Sequence, residues 1–308
     1  MTASKCTVFF EPAPELRGVV EFGFAAANYR RRPRSSIRRV PTARGTIYFA
    51  AHVRGPGVGY REMGLYCEGP HAEAFDVTHE SDEIVALKVR PGGLGALLGI
   101  AARDVRDRTL DLADVWGSRA KDLADRVATA DSTAERIRLL QREIAAHVAA
   151  DGLSTNQAID AAAMVTQRQG RVRVDELSRR CGVSQRTLLQ RFDDGVGLAP
   201  KQYARLVRLR SAMTRLVSPS PVDCSDVAVA CGYADQAHMI HEFRSLVGLS
   251  PLAYCRTSPS FGPEGAVATG RVVVPRCERT LYRSLGFVRR WACHSPGPET
   301  GPSEQSTA

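Results

Sequence analysis

Val196-Gly197-Leu198-Ala199-Pro200-Lys201-Gln202-Tyr203-Ala204-Arg205 is restated 51 residues later as Val247-Gly248-Leu249-Ser250-Pro251-Leu252-Ala253-Tyr254-Cys255-Arg256. Upstream, Cys181-Gly182 matches Cys231-Gly232 at an offset of 50. The second copy has therefore gained one residue between its glycine and its phenylalanine, Phe192 in the first copy and Phe243 in the second. Repetition at this scale marks a duplicated supersecondary unit. In the first copy Val174, Leu177 and Cys181 fall at i, i+3 and i+7, the spacing of a helix with one apolar side. Gly182 stops it, because the turn needs a residue that tolerates positive φ. Ser184 caps a second helix that buries Leu188 and Phe192. In the second copy Val227, Ala230 and Cys231 form the first helix, Gly232 the turn, Asp235 the cap, and Met239 and Phe243 the buried pair. Each copy is a helix-turn-helix whose second helix is half apolar and half polar, a form suited to a major groove.

The outward faces carry the chemistry. Opposite Leu188, at about 100° per residue, stand Arg186, Leu189 and Gln190, with Gln185 in the first turn. Opposite Met239 stand Gln236, Ala237, Ile240 and His241. Arg and Gln pair bidentately with guanine and adenine edges, and small or branched apolar residues meet a thymine methyl. One such face alone is as readily an ordinary solvated surface; two phased copies in a basic segment favour the reading face. Between the copies, Pro200 to Val217 fits a single helix, with Pro200 at its first position and Tyr203, Leu206, Val207, Met213, Leu216 and Val217 as an apolar stripe. Its length of roughly 27 Å approaches the distance of about 34 Å between successive major grooves on one face of B-DNA. Ser184, at the start of the first reading helix, and Lys201, at the start of this strut, are the expected phosphate contacts.

Gly232-Tyr233-Ala234-Asp235-Gln236-Ala237-His238-Met239-Ile240-His241-Glu242-Phe243, followed by Val247-Gly248-Leu249-Ser250-Pro251, resembles the signature of AraC/XylS-type transcription regulators. The resemblance covers about residues 156–256. It implies a seven-helix DNA-binding domain of two helix-turn-helix units joined by a long helix. It also implies base-facing positions at Arg186, Leu189 and Gln190, then Gln236, Ala237, Ile240 and His241, in agreement with the faces read from periodicity. Leu189 and Ala237 stand where the family often has polar readers. The N-terminal stretch is similar to a poorly characterised domain found fused to AraC-type modules, and that resemblance supplies no ligand.

The 308 residues carry a formal charge of +9, which suggests a polyanionic partner. Residues 154–256 hold 14 Lys+Arg against 9 Asp+Glu, so +5 of this lies in the duplicated segment. No uncharged apolar run approaches 18 residues and the start lacks a signal-peptide pattern, so a cytoplasmic protein without a membrane span is expected. Residues 7–89 read as short strands broken by turns: Val19–Phe24, Thr46–Phe49 and Ile84–Val89 are apolar runs, and Arg54–Gly59 is a Gly/Pro break. The basic run Arg30–Arg34 with Arg38-Arg39 is read as a solvated loop rather than a contact to DNA backbone or a second copy. From Arg90 the texture turns helical. Gly92-Gly93-Leu94-Gly95 leads into a short helix, and further helices span about 118–129 and 132–149. In the last of these Ile137, Leu140, Ile144 and Val148 face inward, while Arg136, Arg138, Gln141 and Arg142 face out. The glycine run lacks the lysine-serine ending of a phosphate loop.

His52, His71 and His79 lack metal-ligand spacing, and the eight cysteines form no C-x-x-C pair, so neither a metal, a cofactor nor a disulfide framework is expected. Residues 257–308 contain 6 Pro, 6 Gly and 6 Ser and are read as largely disordered. The expected organisation is an N-terminal α+β regulatory or self-association domain at 1–150, a hinge at Asp151–Thr155, an all-α double helix-turn-helix domain at 154–256, and the tail. The expected function is sequence-specific binding of double-stranded DNA in transcription regulation. RNA polymerase, a small-molecule effector and a second copy of the chain are the candidate further partners. An enzyme is not expected: fused alkyltransferases of this family use a Pro-Cys-His nucleophile, and Cys293-His294 lacks the proline.

Overall fold

The computed structural model describes residues 6–27, 36–53, 60–78, 83–151, 157–216, 223–257 and 266–268. The N-terminal part is built on β1 (Cys6–Phe10), β2 (Val20–Ala27), β3 (Ser36–Arg39), β4 (Gly45–Val53), β5 (Tyr60–Glu68), β6 (Phe75–Thr78), β7 (Glu83–Val89) and β8 (Thr109–Asp111). Six of these form an antiparallel sheet in the order β1-β2-β7-β4-β5-β8. The central strand β7 is buried along its whole length. Val85, Leu87 and Val89 on one face join Ile47, Phe49 and Ala51 of β4 in the main core, while Ile84 and Ala86 face a smaller cluster with Ala50. This two-residue alternation follows from the pleat.

Helices α1 (Leu94–Leu98), α2 (Ala113–Trp116), α3 (Ser118–Thr129) and α4 (Thr133–Asp151) cover the main face of the sheet. Leu123 and Val127 of α3, and Leu140 and Ile144 of α4, are the inward residues, as their spacing predicts. Arg136 departs from that pattern. It turns inward and donates to both carboxylate oxygens of Glu83 on β7 at 2.6 Å, and to the carbonyls of Val127 and Ala130 at 3.1 Å. A nearly buried carboxylate at a sheet end requires a cation, and this demand overrides the helical face.

The basic run is corrected in the same way. Arg38 and Arg39 lie in β3, and Arg39 grips both oxygens of the buried Glu68 at 3.0 Å instead of facing solvent. Residues 28–35, with the rest of that run, lie outside the described residues. β3 is the middle of a second sheet, β6-β3-β9, whose third strand is β9 (Ala266–Ala268). Three residues of the stretch read as disordered are thus paired; the remainder of 258–308 lies outside the described residues, as does the hinge beyond Asp151.

Seven helices follow among the described residues: α5 (Gln157–Gln167), α6 (Val174–Arg180), α7 (Gln185–Val196), α8 (Pro200–Leu216), α9 (Cys224–Ala230), α10 (Gln236–Val247) and α11 (Pro251–Thr257). The expected architecture, an α+β part followed by an all-α double helix-turn-helix, is the observed one. The helical core also takes in Val40 and Ala43 from the strand region, so the two parts pack as one body.

Candidate nucleic-acid interface

The second helices of the two units, α7 and α10, have 12 residues each and stand 51 residues apart. Ser184 accepts the Thr187 N–H at 3.1 Å to cap α7, and Asp235 accepts the His238 N–H at 2.7 Å to cap α10. Each cap satisfies an orphan donor at the helix start. The preceding turns hinge on Gly182 at φ +66° and Gly232 at φ +81°, the left-handed conformation the sequence predicts for them. Leu188 and Phe192, with Met239 and Phe243, point into the shared core. Phe192 packs on Tyr203 of the strut α8 with ring centroids 5.6 Å apart, and Phe243 packs edge-on to Tyr254 at 5.3 Å.

The opposite faces are open. Gln185, Arg186, Leu189 and Gln190 on α7 are exposed, as are Gln236, Ala237 and His241 on α10; Ile240 is half-buried. Leu189 is 44% exposed. Among the described residues, Gln185, Arg186, Gln190, Gln236 and His241 have no side-chain hydrogen bond or ion pair. The charges of α6 behave differently: Arg173 and Arg179 pair with Asp175, and Arg168 and Arg180 with Glu176. The charges of the helix before the first turn are therefore neutralised locally, while the exposed side chains of α7 and α10 named above keep their donors free.

Lys201 is exposed in the first turn of α8, beside Gln202, whose side chain accepts the Ala199 N–H at 3.1 Å. Both expected phosphate contacts, Ser184 and Lys201, thus sit at helix starts, where backbone N–H groups favour an anion. Ser184 is at once the cap and a hydroxyl open to solvent.

Glu242 is the residue that periodicity missed. It lies in α10 between His241 and Phe243, is 5% exposed, and receives Arg205 of α8 at 3.0 Å, with Arg208 at 3.6 Å. Arg208 also lies over the Tyr233 ring, 5.7 Å from its centroid, and donates to the Gly170 carbonyl at 3.3 Å. Burial and the adjacent Glu242 carboxylate push the Tyr233 phenol well above its usual range, so it stays neutral. The available signal was a glutamate one position from a buried phenylalanine, facing a strut with arginines three residues apart.

The cysteines here are structural. Cys231 is fully buried, and burial raises the Cys181 and Cys255 thiols. In the sheet, burial pushes Cys67 up to about 12. No group of three or more metal-ligating side chains occurs among the described residues, and no described helix is long and apolar enough to cross a membrane. His71 stacks on Phe75; the side chains of His52 and His79 lie outside the described residues.

Residues 177–257 match a family described as a helix-turn-helix domain. A comparison with curated proteins finds no match. Among solved structures, the chain is similar to the DNA-binding domain of AdpA in complex with a target DNA, at 29% identity over 32% of this chain and 90% of that one, with a TM-score of 0.30. It is similar to an AraC-type regulator from Chromobacterium violaceum at 21% identity, 34% of this chain, 95% of that one and a TM-score of 0.32. ToxT from Vibrio cholerae O395 aligns at 7% identity over 87% of this chain and 98% of its own, with a TM-score of 0.39.

Proposed function

We propose that this chain, which carries an AraC-type helix-turn-helix domain over residues 177–257, is a sequence-specific transcription regulator that sets α7 and α10 into successive major grooves. The observation that carries the reading is the pair of equal, capped helices at an offset of 51 residues, each with a solvent-facing row of unpartnered side chains. Arg186, Leu189 and Gln190, with Gln185 at the rim, read one groove; Gln236, Ala237, Ile240 and His241 read the next. The strut α8, 17 residues or about 26 Å long, spans the interval. Ser184 and Lys201 hold phosphates and fix the register.

The N-terminal part, 1–150, acts as the controlling or self-associating domain in this reading, with an effector, RNA polymerase or a second copy as its partners. It supplies no catalytic constellation among its described residues, and the regulator reading assigns it none.

The test is a binding selection from randomised duplexes with the full chain, followed by titration across salt. The expected result is a two-part consensus and an affinity that falls steeply as salt rises, because Lys and Arg displace counterions from phosphates. Retention of no sequence above background at low salt overturns the reading.

A further inference from the structure

We infer that the N-terminal domain acts as a bracket that fixes the spacing at which the two reading helices meet DNA, with Arg103, Arg106 and the loop 69–75 as the positioning elements. The inference rests on the DNA-binding reading above and adds to it a determinant of site geometry outside the helix-turn-helix units.

Both reading helices are held at their C-terminal ends by one small piece of the N-terminal domain. Arg103, in the 3-10 turn Ala102–Val105, forms an ion pair with Asp194 of α7. Arg106 donates to the carbonyl of Gly197, which ends α7, at 3.3 Å and lies 3.9 Å from Asp193. Gly197 is pressed against both halves of the bracket: a Cβ there would stand 2.8 Å from the Ala102 carbonyl oxygen and 2.6 Å from the Pro70 ring. The end of α10 is held by the other half, where the Ala74 N–H donates to the Leu246 carbonyl at 3.0 Å.

The two halves are tied to each other. The Asp107 N–H donates to the Pro70 carbonyl at 2.9 Å, and the Gly69 N–H donates to the Arg108 carbonyl at 2.9 Å. The Asp107 carboxylate accepts the Ala72 N–H at 3.1 Å and lies 3.5 Å from His71 Nδ1. The loop is anchored to the strand region by paired hydrogen bonds between Thr42 and His71, at 3.0 and 2.7 Å. The readers occupy the opposite, N-terminal halves of the same helices, residues 185–190 and 236–241, and remain uncovered.

The consequence is mechanical. Adding one base pair between half-sites moves the second groove by about 3.4 Å along the axis and turns it by about 35°. The strut alone is one helix joining the two units. The bracket is a second connection, made by the Arg103 and Arg106 side chains at the end of α7 and by one backbone hydrogen bond at the end of α10, and it cannot follow such a shift without losing the Ala74–Leu246 bond or the arginine contacts. A chain held in this way discriminates between spacings; a chain without the bracket adapts.

The experiment uses the full chain and the duplex obtained by selection, with one base pair inserted or removed between the half-sites. Arg103 and Arg106 pair across a partly exposed surface, where single deletions cost little, so charge reversal is the informative change. The wild-type chain is expected to bind the shifted duplexes at least about tenfold more weakly than the selected one. The Arg103→Asp/Arg106→Asp variant is expected to lose less than about threefold on the same shift. Adding Asp193→Arg and Asp194→Arg to that variant restores attraction across the joint and, with it, the full spacing penalty. A reversed variant that keeps the wild-type penalty overturns the bracket, and so does failure of the four-fold variant to regain the penalty while it still binds the selected duplex. Failure of the wild-type chain to select any duplex removes the DNA-binding reading instead, and this inference falls with it.

Discussion

The second helices of the two helix-turn-helix units are equal in length, yet their charged side chains are anchored to different parts of the molecule. In the first unit the second half of α7 is acidic, and Asp193 and Asp194 face arginines of the N-terminal domain. In the second, the equivalent positions are Arg244 and Ser245, both exposed, and the anchoring charge is Glu242, buried against Arg205 and Arg208 of the strut. The residue matching Glu242 in the first unit is Arg191, exposed and bonded only to the Gln157 side chain among the described residues. Duplication preserved the caps, the turn and the buried pair, which any such unit needs to fold. It left free the positions that decide what the unit is attached to. Through its charges the first unit is tied to the N-terminal domain and the second to the strut, while the backbone at the end of α10 is bonded to the N-terminal domain as well.

The largest expected effect breaks this asymmetry at its buried end. Glu242→Ala strands Arg208, whose side chain is 18% exposed, beside an emptied pocket, while Arg205, at 35%, regains water. The cost is about 2–3 kcal/mol, below the full figure for a broken buried pair because one partner is half in solvent. Arg191→Ala, the matched change in the first unit, costs less than about 0.5 kcal/mol. Urea unfolding of both variants measures the difference, and equal midpoints would show that the two positions are anchored alike.

Next in size is the difference between the faces proposed to read bases. Arg186 in the first unit corresponds to Ala237 in the second, so only the first presents a bidentate fork at that position. Arg186→Ala is expected to cost about 1–3 kcal/mol on the selected duplex and to relax preference at one or two base pairs of one half-site. Ala237→Gly removes a single methyl, able only to meet a thymine methyl, and is expected to relax preference at no more than one base pair of the other half-site. Selection with both variants decides the matter; a uniform loss for Arg186→Ala, with the consensus intact, would make it a backbone contact.

The helical half was legible because its signals are local. Gly182, Ser184, Leu188 and Phe192 lie within eleven residues of one another, and the second copy repeats the pattern, so a turn, a cap and a buried face could be read from spacing alone. What holds these units in place was not legible. Arg103 and Asp194 are 91 residues apart, Arg136 and Glu83 53 apart, and Arg205 and Glu242 37 apart. No periodicity joins such partners, and a charged residue that faces inward looks the same in sequence as one that faces water. Arg39 and Arg136 were read as solvated for that reason. The edge strand β8 and the three-residue β9 were missed because strands that short carry too little alternation to register.

A smaller effect separates the two units at the positions proposed to contact phosphate. Lys201 begins the strut after the first unit, whereas the matching residue after the second is Leu252, 60% exposed. Lys201→Ala is expected to weaken all duplexes about equally and to lower the slope of log affinity against log salt by about one unit. Leu252→Ala should leave that slope as it is. A titration between low and moderate salt reads both, and equal slopes for wild type and Lys201→Ala would remove Lys201 from the phosphate contacts.

The smallest expected effect lies in the bracket itself, through His71. Its ring stacks on Phe75 at 3.5 Å between centroids and is 6% exposed. Burial holds its imidazole below the ordinary value of 6.5; the Glu68 and Asp107 carboxylates act in the opposite sense, and Arg39 and Lys88 reinforce the burial. The sign follows from proton binding. On acidification the unfolded chain takes up a proton at this residue before the folded chain does, so folding loses stability as pH falls through about 6.5, and the contribution is fully present above it. His71→Gln keeps polarity without the titration, so its unfolding midpoint should drop less between pH 8 and pH 6 than that of the wild type. The other histidines and the carboxylates contribute equally to both chains, so only the difference in slope belongs to His71. Because His71 lies in the loop that holds the end of α10, and not in either reading helix, the selected consensus should be the same at both pH values for both chains. Parallel slopes would mean that the bracket does not register the charge on His71.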